Sequence, residues 1–537
     1  MKHRRIEAAL RALGLAAAMA VTACGQQAPS TAAAASEPAK KLPVVDLDEK
    51  PAFPLPKHLE SKDIAAGTVT YPQLFENGAQ LFFTTYNGLD GVGVKRTIGG
   101  APVNRFTAGP AGGGQPAPVG AQSCGICHAL PSGAGFGPAS THVLFSGTPA
   151  GSPPFVGRAT TSLYGDGVLQ LVAEEMTEQL LAARDEAAKA AKEKPGTPAT
   201  KPLKANGVDF GSITATAAVA GGEVAFDTTK VRGVLPDLVI RPFGSKGQVT
   251  TIRNFATAVS TFGLGMQAEE FVWRLPPQAG PDPDGDGVTR EFSVGDITAM
   301  TIYNAGQAVP AELGRLAALG YVAAPDAAAQ ARVDKGRQLF AQAGCATCHI
   351  PEMHLAKTVF EEPSLAGGGN YIDKFLASKD ADYDPKRPAR FDLVKDSVEP
   401  RLETAPSGGA TVRLYGDLKR HDMGRLLADP FPTLPNDASL APLQINGKPA
   451  AIQPSEFLTP ELWGVGSTPP YLHDDRAGTI DEAILLHGED TPPAMGQPGR
   501  SEAQESRDAY KKLSPEDQKT LVAFLKSLLT LSKEPKR

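Results

Sequence analysis

The sequence predicts a mainly α protein with two domains, long loops and one small β insertion. Its 537 residues exceed what a single hydrophobic core normally organises. Gly (56) and Pro (47) are frequent and aromatic residues make up only 6% of the chain, a composition typical of many turns. A helical pattern precedes each of two C-x-x-C-H motifs, at 124–128 and 345–349. Each half of the chain is therefore predicted to contain a helix followed by a C-x-x-C-H motif.

The N-terminus has the features of an export signal. Basic residues at 2–5 precede an apolar stretch at 10–21 that is too short to span a bilayer. The residues before Cys24 resemble a bacterial lipobox, so we expect a signal peptide over 1–24 and a lipid-bearing Cys24, the alternative being an ordinary cleaved signal. Residues 25–62, rich in Ala, Pro, Ser and Lys, predict a disordered tether. We expect a protein of the periplasm or cell envelope, lipid-anchored to a membrane.

The charge of the chain argues against nucleic acid as a partner. The 53 Lys and Arg residues are outnumbered by 59 Asp and Glu residues, which gives a formal net charge of −6. Phosphate recognition depends on clustered basic side chains. The composition thus predicts a globular protein that does not bind nucleic acid.

Four of the five cysteines lie in the two C-x-x-C-H motifs. Two thiols three positions apart face the same side of a helical turn and can add to both vinyl groups of one porphyrin, while the next imidazole reaches the iron. A disulfide within each motif would leave the histidine unexplained, and a zinc site needs four ligands in one place. The motifs predict two covalently bound c-type haems. The attachment and proximal-ligand residues are Cys124, Cys127, His128, Cys345, Cys348 and His349.

The predicted N-terminal haem domain covers 63–329 and carries insertions. A helical pattern at 78–83 leads to the first motif through a Gly-rich stretch at 91–120. The long pattern at 169–194 predicts a solvated surface helix. Alternating β-branched residues at 208–251 predict the small β insertion.

The predicted C-terminal haem domain covers 330–537. Residues 334–344 predict a helix that places Leu339 and Phe340 on one face, directly before the second motif. Ser514 has the chemistry of an N-cap, with Pro at the next position, and an apolar stripe from Leu521 to Leu528 follows. We expect these two helices to pack together.

The segment DPDGDGVTREF begins like an oxygen-only calcium loop. Asp282, Asp284 and Asp286 alternate with small residues, as in the first half of an EF-hand loop, but the twelfth position is Ser. Glu291 or Asp296 would have to close the site. Calcium is therefore a secondary prediction, beside the alternative of an acidic turn without metal.

The second motif, the string at 459–488 and the C-terminal helix together resemble the di-haem cytochrome c peroxidase superfamily. The segments at 413–429 and 240–259 are similar to its di-haem oxidoreductase branch, also labelled putative peroxidases or thiol-oxidoreductase-like. The resemblance covers 75–530. It implies two cytochrome c-like domains, one haem transferring electrons and the other with an open face for peroxide or another oxidant.

The resemblance also implies ligands for the C-terminal haem. In that family the sixth ligand follows the histidine of a PYxH turn by fourteen positions, which here gives His487. Two imidazoles imply a lower reduction potential than a Met/His pair. Met423 is the competing ligand.

The N-terminal haem is the expected reactive one. The resemblance maps the distal face onto 262–271, where Gln267, Glu269 and Glu270 are the expected hydrogen-bond donor and proton shuttle for O–O cleavage. The alternatives are surface carboxylates, or Met266 as a sixth ligand that closes the site.

Two function classes follow. The favoured one is an enzyme, an exported di-haem c-type cytochrome oxidoreductase with peroxidase-like activity. The alternative is a non-catalytic di-haem electron carrier, with both irons six-coordinate. The expected partners are a small cytochrome or cupredoxin, hydrogen peroxide or another oxidant, and a membrane through the lipid anchor.

Overall fold

A computed structural model describes residues 57–92, 122–130, 134–137, 143–146, 155–219, 221–364, 370–435, 444–445 and 448–530. The expected signal peptide, the lipid-bearing Cys24, most of the tether and most of the Gly-rich stretch lie outside these residues. None of the helices in the described part of the chain is long and apolar enough to cross a membrane.

Fourteen α-helices lie in the described residues. They are α1 (Ser61–Ala65), α2 (Tyr71–Phe83), α3 (Cys124–Cys127), α4 (Asp166–Glu193), α5 (Ile252–Val259), α6 (Glu269–Val272), α7 (Val294–Ala305), α8 (Leu313–Ala318), α9 (Ala327–Gln342), α10 (Asn370–Lys379), α11 (Gly424–Leu427), α12 (Ile480–Leu485), α13 (Gln504–Lys512) and α14 (Pro515–Leu525). A π-helical turn, Ser260–Leu264, continues α5.

The strands are short. They are β1 (Val143–Ser146), β2 (Phe155–Arg158), β3 (Ala199–Ala205), β4 (Val208–Ala217), β5 (Val224–Asp227), β6 (Ala311–Glu312), β7 (Met353–Leu355), β8 (Val359–Glu362), β9 (Ala389–Asp392), β10 (Glu403–Thr404), β11 (Ala410–Val412), β12 (Arg420–Asp422), β13 (Gln444–Ile445), β14 (Lys448–Pro449), β15 (Glu456–Leu458) and β16 (Leu528–Leu529).

These strands form small antiparallel sheets. Two sheets have three strands, ordered β3-β4-β5 and β10-β11-β7, and the other sheets in the described residues are pairs. The predicted β insertion is the first of them, although it begins at Ala199 and ends at Asp227. The fold is therefore mixed, with helices outweighing strands, and has more β structure than the sequence predicted.

The main hydrophobic core includes buried residues from Leu59 to Trp463. Helices α2 and α7 touch closely in it, because a Cβ on Gly78 would lie 2.1 Å from the carbonyl oxygen of Ala299. The start of α4 is also in this core, with Val168 and Met176 fully buried. The prediction of a solvated surface helix was wrong for this half of α4, because its apolar side chains face α7 and the β3-β4-β5 sheet.

A second core cluster surrounds the second motif. Phe340 on α9 meets Phe524 on α14, with ring centroids 5.5 Å apart. The Ser514 hydroxyl accepts a hydrogen bond from the backbone N–H of Asp517, at 3.1 Å, and so caps α14. The predicted pairing of the two helices and the N-cap are confirmed, although Leu528 lies in β16 beyond the helix end.

Contacts connect the two predicted domains. Strand β6 pairs with β16, which joins Glu312 to Leu528. The carboxylate of Glu175 on α4 accepts hydrogen bonds from the backbone of Ala356 and Lys357, at 3.1 and 2.7 Å. The domain boundary at 329/330 stays a prediction.

Candidate functional site

The first C-x-x-C-H motif forms one helical turn. The backbone N–H of His128 donates to the carbonyl of Cys124 at 3.0 Å, which closes the turn. The ring nitrogen Nδ1 lies 3.0 Å from the carbonyl oxygen of Gly135. A carbonyl only accepts, so Nδ1 carries the proton and Nε2 keeps its lone pair. The turn thus presents Nε2 as a metal ligand.

The second motif repeats this arrangement. A 3₁₀ turn spans Cys345–Thr347, and the backbone N–H of His349 donates to the carbonyl of Cys345 at 3.0 Å. Nδ1 of His349 donates to the carbonyl oxygen of Tyr415, also at 3.0 Å. Hydrogen bonds of this kind fix the tautomer and the ring orientation of metal-binding histidines.

Burial keeps these side chains uncharged. It lowers the pKa of both His128 and His349 to about 4. It also raises the pKa of Cys124 to about 12 and that of Cys345 to about 11. Neutral imidazoles beside thiols in apolar surroundings fit a covalently attached haem, whose porphyrin faces are apolar and whose iron takes an imidazole nitrogen.

His487 lies near His349. It follows α12, and its Nδ1 donates to the carbonyl oxygen of Ala483 at 2.7 Å, so its Nε2 also keeps the lone pair. The pKa of His349 is lowered by burial first and then by the charge of His487. The structure therefore brings these two imidazoles into one neighbourhood, in the tautomer that binds iron. Met423 directly precedes α11, and its backbone N–H donates to the carbonyl of Ser455 at 2.8 Å.

Sequence reasoning missed His421. Its Nε2 lies 2.8 Å from Asp417 and its Nδ1 lies 2.7 Å from Glu502 and 4.0 Å from the sulfur of Cys348. Burial opposes the charged form, but hydrogen bonds to these three groups raise its pKa to about 11. An imidazolium held between two carboxylates thus lies beside the second motif. The Asp417 to His421 spacing of four was the available signal, but the pairing with Glu502 is not local.

The residues expected on the distal face divide into two kinds. Gln267 is 5% exposed, and its Oε1 is buried with no hydrogen-bond partner among the described residues. Glu269 instead pairs with Arg290, at 2.7 Å. Glu270 is buried in an ion pair with Arg253. Two of the three expected proton-handling groups are therefore bound to arginines. The alternative ligand Met266 is fully buried in the main core.

Arg253 is the centre of a buried charge network. Its Nε lies 3.1 Å from Glu270, and its Nη1 lies 2.6 Å from Glu362 and 2.9 Å from the Thr298 hydroxyl. The second oxygen of Glu362 is buried and finds no partner within the described residues. Burial raises the pKa of Glu362 to about 7 in spite of Arg253. One cation thus serves two buried carboxylates.

The acidic loop gathers its carboxylates. Oxygens of Asp282, Asp284 and Asp286 lie within 4.8 Å of one another. Asp284 Oδ1 and Asp286 Oδ2 are buried and lack a hydrogen-bond partner in the described part of the chain. Burial and the charge of Asp286 raise the pKa of Asp284 to about 8. Glu291 is 3% exposed, and burial followed by the charges of the three aspartates raises its pKa to about 10.

Of the two residues expected to close this loop, Glu291 is the one that faces it. Asp296 is fully buried and accepts hydrogen bonds from the backbone N–H groups of Leu59 and Ser293, both at 3.0 Å. Those bonds cap α7 and hold the first described segment. Glu291 accepts one bond, from the backbone N–H of Gln267 at 2.6 Å.

Comparisons with known proteins give distant likenesses only. No family model matches the chain, and no curated protein matches it. Among solved structures, hydrazine synthase of Kuenenia stuttgartiensis is 16% identical, over 57% of this chain and 73% of that chain, with a TM-score of 0.24. A MauG-like protein associated with microbial copper homeostasis is 14% identical, over 57% and 76%, with a TM-score of 0.27. Because this similarity is too low to support an argument, the function has to be inferred from the chain's own residues.

Proposed function

We propose that this chain is an exported di-haem c-type cytochrome oxidoreductase with peroxidase-like activity. One observation supports it above the others. Three histidines, two of them in C-x-x-C-H turns, donate Nδ1–H to backbone carbonyls and keep the lone pair on Nε2. This is the arrangement that iron ligation needs.

The two sites differ in their second imidazole. His349 and His487 would hold the haem attached at Cys345 and Cys348 from both faces, which suits electron transfer. His128 would hold the other haem. Two other described histidines have partners of their own: His58 contacts Asp296, and His473 packs against Phe457 with ring centroids 4.3 Å apart. Bound haem iron supplies one-electron chemistry and, on an open face, a place for peroxide.

The chain's own polar groups would position the oxidant. Gln267, with its buried unpartnered oxygen, is the group we assign to hydrogen-bond the oxidant on the distal side. Glu269 and Glu270 act through their arginine pairs and position this segment. Peroxide reduction needs two electrons, so a small cytochrome or cupredoxin in the periplasm is the proposed donor, with the protein held at a membrane through Cys24.

Electron paramagnetic resonance tests this proposal. The purified holoprotein is measured fully ferric and half reduced, each before and after stoichiometric hydrogen peroxide. A high-spin ferric signal that peroxide consumes supports the enzyme. Two low-spin signals that peroxide does not change, in the ferric and in the half-reduced sample, contradict the proposed enzyme and support the electron carrier. Pyridine haemochrome spectra first establish two haems, and Cys127→Ser and Cys348→Ser should each remove one thioether bond.

We also propose that the acidic loop binds calcium, with Asp282, Asp284, Asp286 and Glu291 as ligands. The supporting observation is the two buried aspartate oxygens without partners, next to a buried glutamate. Four carboxylates without a cation repel one another, and Ca²⁺ takes several carboxylate oxygens. Calorimetric titration with calcium tests it, and a wild-type protein that binds none contradicts it.

A further inference from the structure

His487, the proposed sixth ligand, lies at the start of a long loop. Helix α12 ends at Leu485, and residues 486–503 contain no helix or strand before α13 begins at Gln504. Helix α12 has only six residues, and so short a helix is not stable in water without packing partners. The bond from Nδ1 to the Ala483 carbonyl orients the His487 ring. The position of the whole segment therefore depends on contacts from outside it.

Gln504 binds the main chain just after His487. Its side chain belongs to a residue that is 1% exposed. Oε1 accepts a hydrogen bond from the backbone N–H of Glu489, and Nε2 donates to the carbonyl oxygen of Glu489, both at 2.8 Å. Nε2 also donates to Asp508 at 3.0 Å. A Cβ on Gly488 would lie 2.5 Å from Oε1, so any other residue there would push the amide away. One buried amide thus pairs with both main-chain groups of a residue two positions after His487.

Arg507 binds the main chain just before His487. It lies three positions after Gln504, on the same face of α13. Its Nε donates to the carbonyl oxygen of Leu485 at 3.2 Å. This is one of the last carbonyls of α12, which find no partner within their own helix. Nη2 of the same guanidinium lies 2.5 Å from Asp490. Gln504 and Arg507 thus hold the chain on both sides of the imidazole.

Helix α13 also lies against the second motif. Tyr510 on this helix is 1% exposed and belongs to the second core cluster, against which Cys345 packs. A Cβ on Gly344, the residue before Cys345, would lie 2.9 Å from the hydroxyl oxygen of Ser506 on α13. One helix therefore contacts both the second motif and the segment that carries His487, and it can set the distance between them.

We propose that Gln504 and Arg507 are positioning residues that hold His487 on the iron of the proposed second haem. The inference rests on the proposed function, in which His349 and His487 bind this iron from opposite faces. A ligand on a fixed segment rebinds before an outside ligand can take its place, because little conformational freedom has to be lost again. Without these contacts the segment gains freedom, and the imidazole competes less well for the same coordination position.

Cyanide titration of the ferric holoprotein tests the positioning role without turnover. Electron paramagnetic resonance follows the low-spin signal of the second haem, which cyanide replaces with a different low-spin signal when it displaces His487. Cyanide also binds an open first haem, but that step removes a high-spin signal and is followed separately. The variant Gln504→Leu keeps roughly the size of the side chain and loses both bonds to Glu489. We expect it to lower the cyanide concentration at half replacement about tenfold.

Gln518→Leu is the matched control. Nε2 of Gln518 on α14 donates to the carbonyl oxygen of Tyr510 at 3.1 Å, at the end of α13 rather than at the segment of His487. Its loss weakens the same core and should leave the cyanide concentration unchanged, and a shift equal to that of Gln504→Leu refutes the positioning role. Arg507→Gln loses the bond to α12, so we expect a shift in the same direction of at least about threefold. This second variant decides the inference if Gln504→Leu does not fold.

The outcomes separate this inference from the proposed function. Equal cyanide concentrations in wild type, Gln504→Leu and Arg507→Gln refute the positioning role, while a changed low-spin signal in His487→Ala keeps the ligand. An unchanged signal in His487→Ala refutes the ligand and the positioning role together. In the His487→Ala background, Gln504→Leu should change the signal no further, because its effect acts through the imidazole, and an additional change refutes that route. A wild type whose signals do not respond to peroxide refutes the proposed enzyme, and the cyanide titration still decides the positioning role.

Discussion

Replacing Arg253 with Met should destabilise the protein more than any exposed charge change. Arg253 and its partners Glu270 and Glu362 are each 1% exposed. Removing one partner of a buried ion pair costs about 3–5 kcal/mol. Because this cation serves two carboxylates, we expect roughly 5 kcal/mol near pH 8. The loss should be smaller near pH 5, since burial raises the pKa of Glu362 to about 7 and this carboxylate is then protonated.

Replacing Glu362 with Gln should have a different pH dependence. Burial raises the pKa of Glu362 from 4.5 to about 7, a rise of about 2.5 units, which corresponds to roughly 3 kcal/mol. The folded state holds this proton more tightly than the unfolded state, so the contribution of Glu362 to stability is largest below pH 4.5 and is lost as the pH rises through 7. The variant lacks this loss. Its stability relative to wild type should rise by roughly 3 kcal/mol between about pH 5 and about pH 8.

The assay is urea unfolding of the holoprotein, followed by far-UV circular dichroism at both pH values. Arg390→Met is the matched control, because Arg390 pairs with Glu361 at 2.8 Å but is 52% exposed. It should cost at most about 1 kcal/mol. The reasoning is refuted if the free energies of unfolding of Arg253→Met and the control differ by less than about 1 kcal/mol. It is also refuted if the difference in free energy of unfolding between Glu362→Gln and wild type is the same at both pH values.

Three further outcomes are expected. His487→Ala should turn the low-spin signal of the proposed second haem into a high-spin or rearranged one. His354→Ala, at the exposed position of β7, should leave the spectrum as it is. An unchanged spectrum in His487→Ala removes that ligand. Asp284→Asn should weaken calcium binding at least tenfold, because the ion loses one charged ligand, and equal affinity of variant and wild type in the calorimeter would discard the ligand set. Tyr510→Phe should cost about 1–3 kcal/mol in urea unfolding, since the Tyr510 hydroxyl donates to the charged group of Asp481; a cost near zero would show that this bond is not stabilising.

Local chemistry made part of the fold predictable. The N-cap at Ser514 and the helix before the second motif depend on residues a few positions apart, and both are present. The histidine turns are equally local, since each closes on the first cysteine of its own motif.

The partners of the site residues were not predictable in this way. The carbonyl that accepts the His349 proton belongs to Tyr415, 66 residues away. The sequence predicted Glu270 as an acid on the distal face, yet its carboxylate forms an ion pair with Arg253 on another helix. Such pairings depend on which helices touch, and no periodicity in one segment encodes them. The same holds for the first half of α4, whose apolar face is buried because it packs against α7.

The shared core has a consequence for how such a chain could evolve or be divided. Met353, Leu355, Phe360 and Phe391 follow the predicted domain boundary at 329/330 in sequence, but they lie in the main core with the residues of α4. A fragment beginning at 330 would carry these side chains without their neighbours and expose them to water. The two C-x-x-C-H motifs therefore depend on one shared interior, and neither half of the chain can be exchanged alone without refilling the interior of the other.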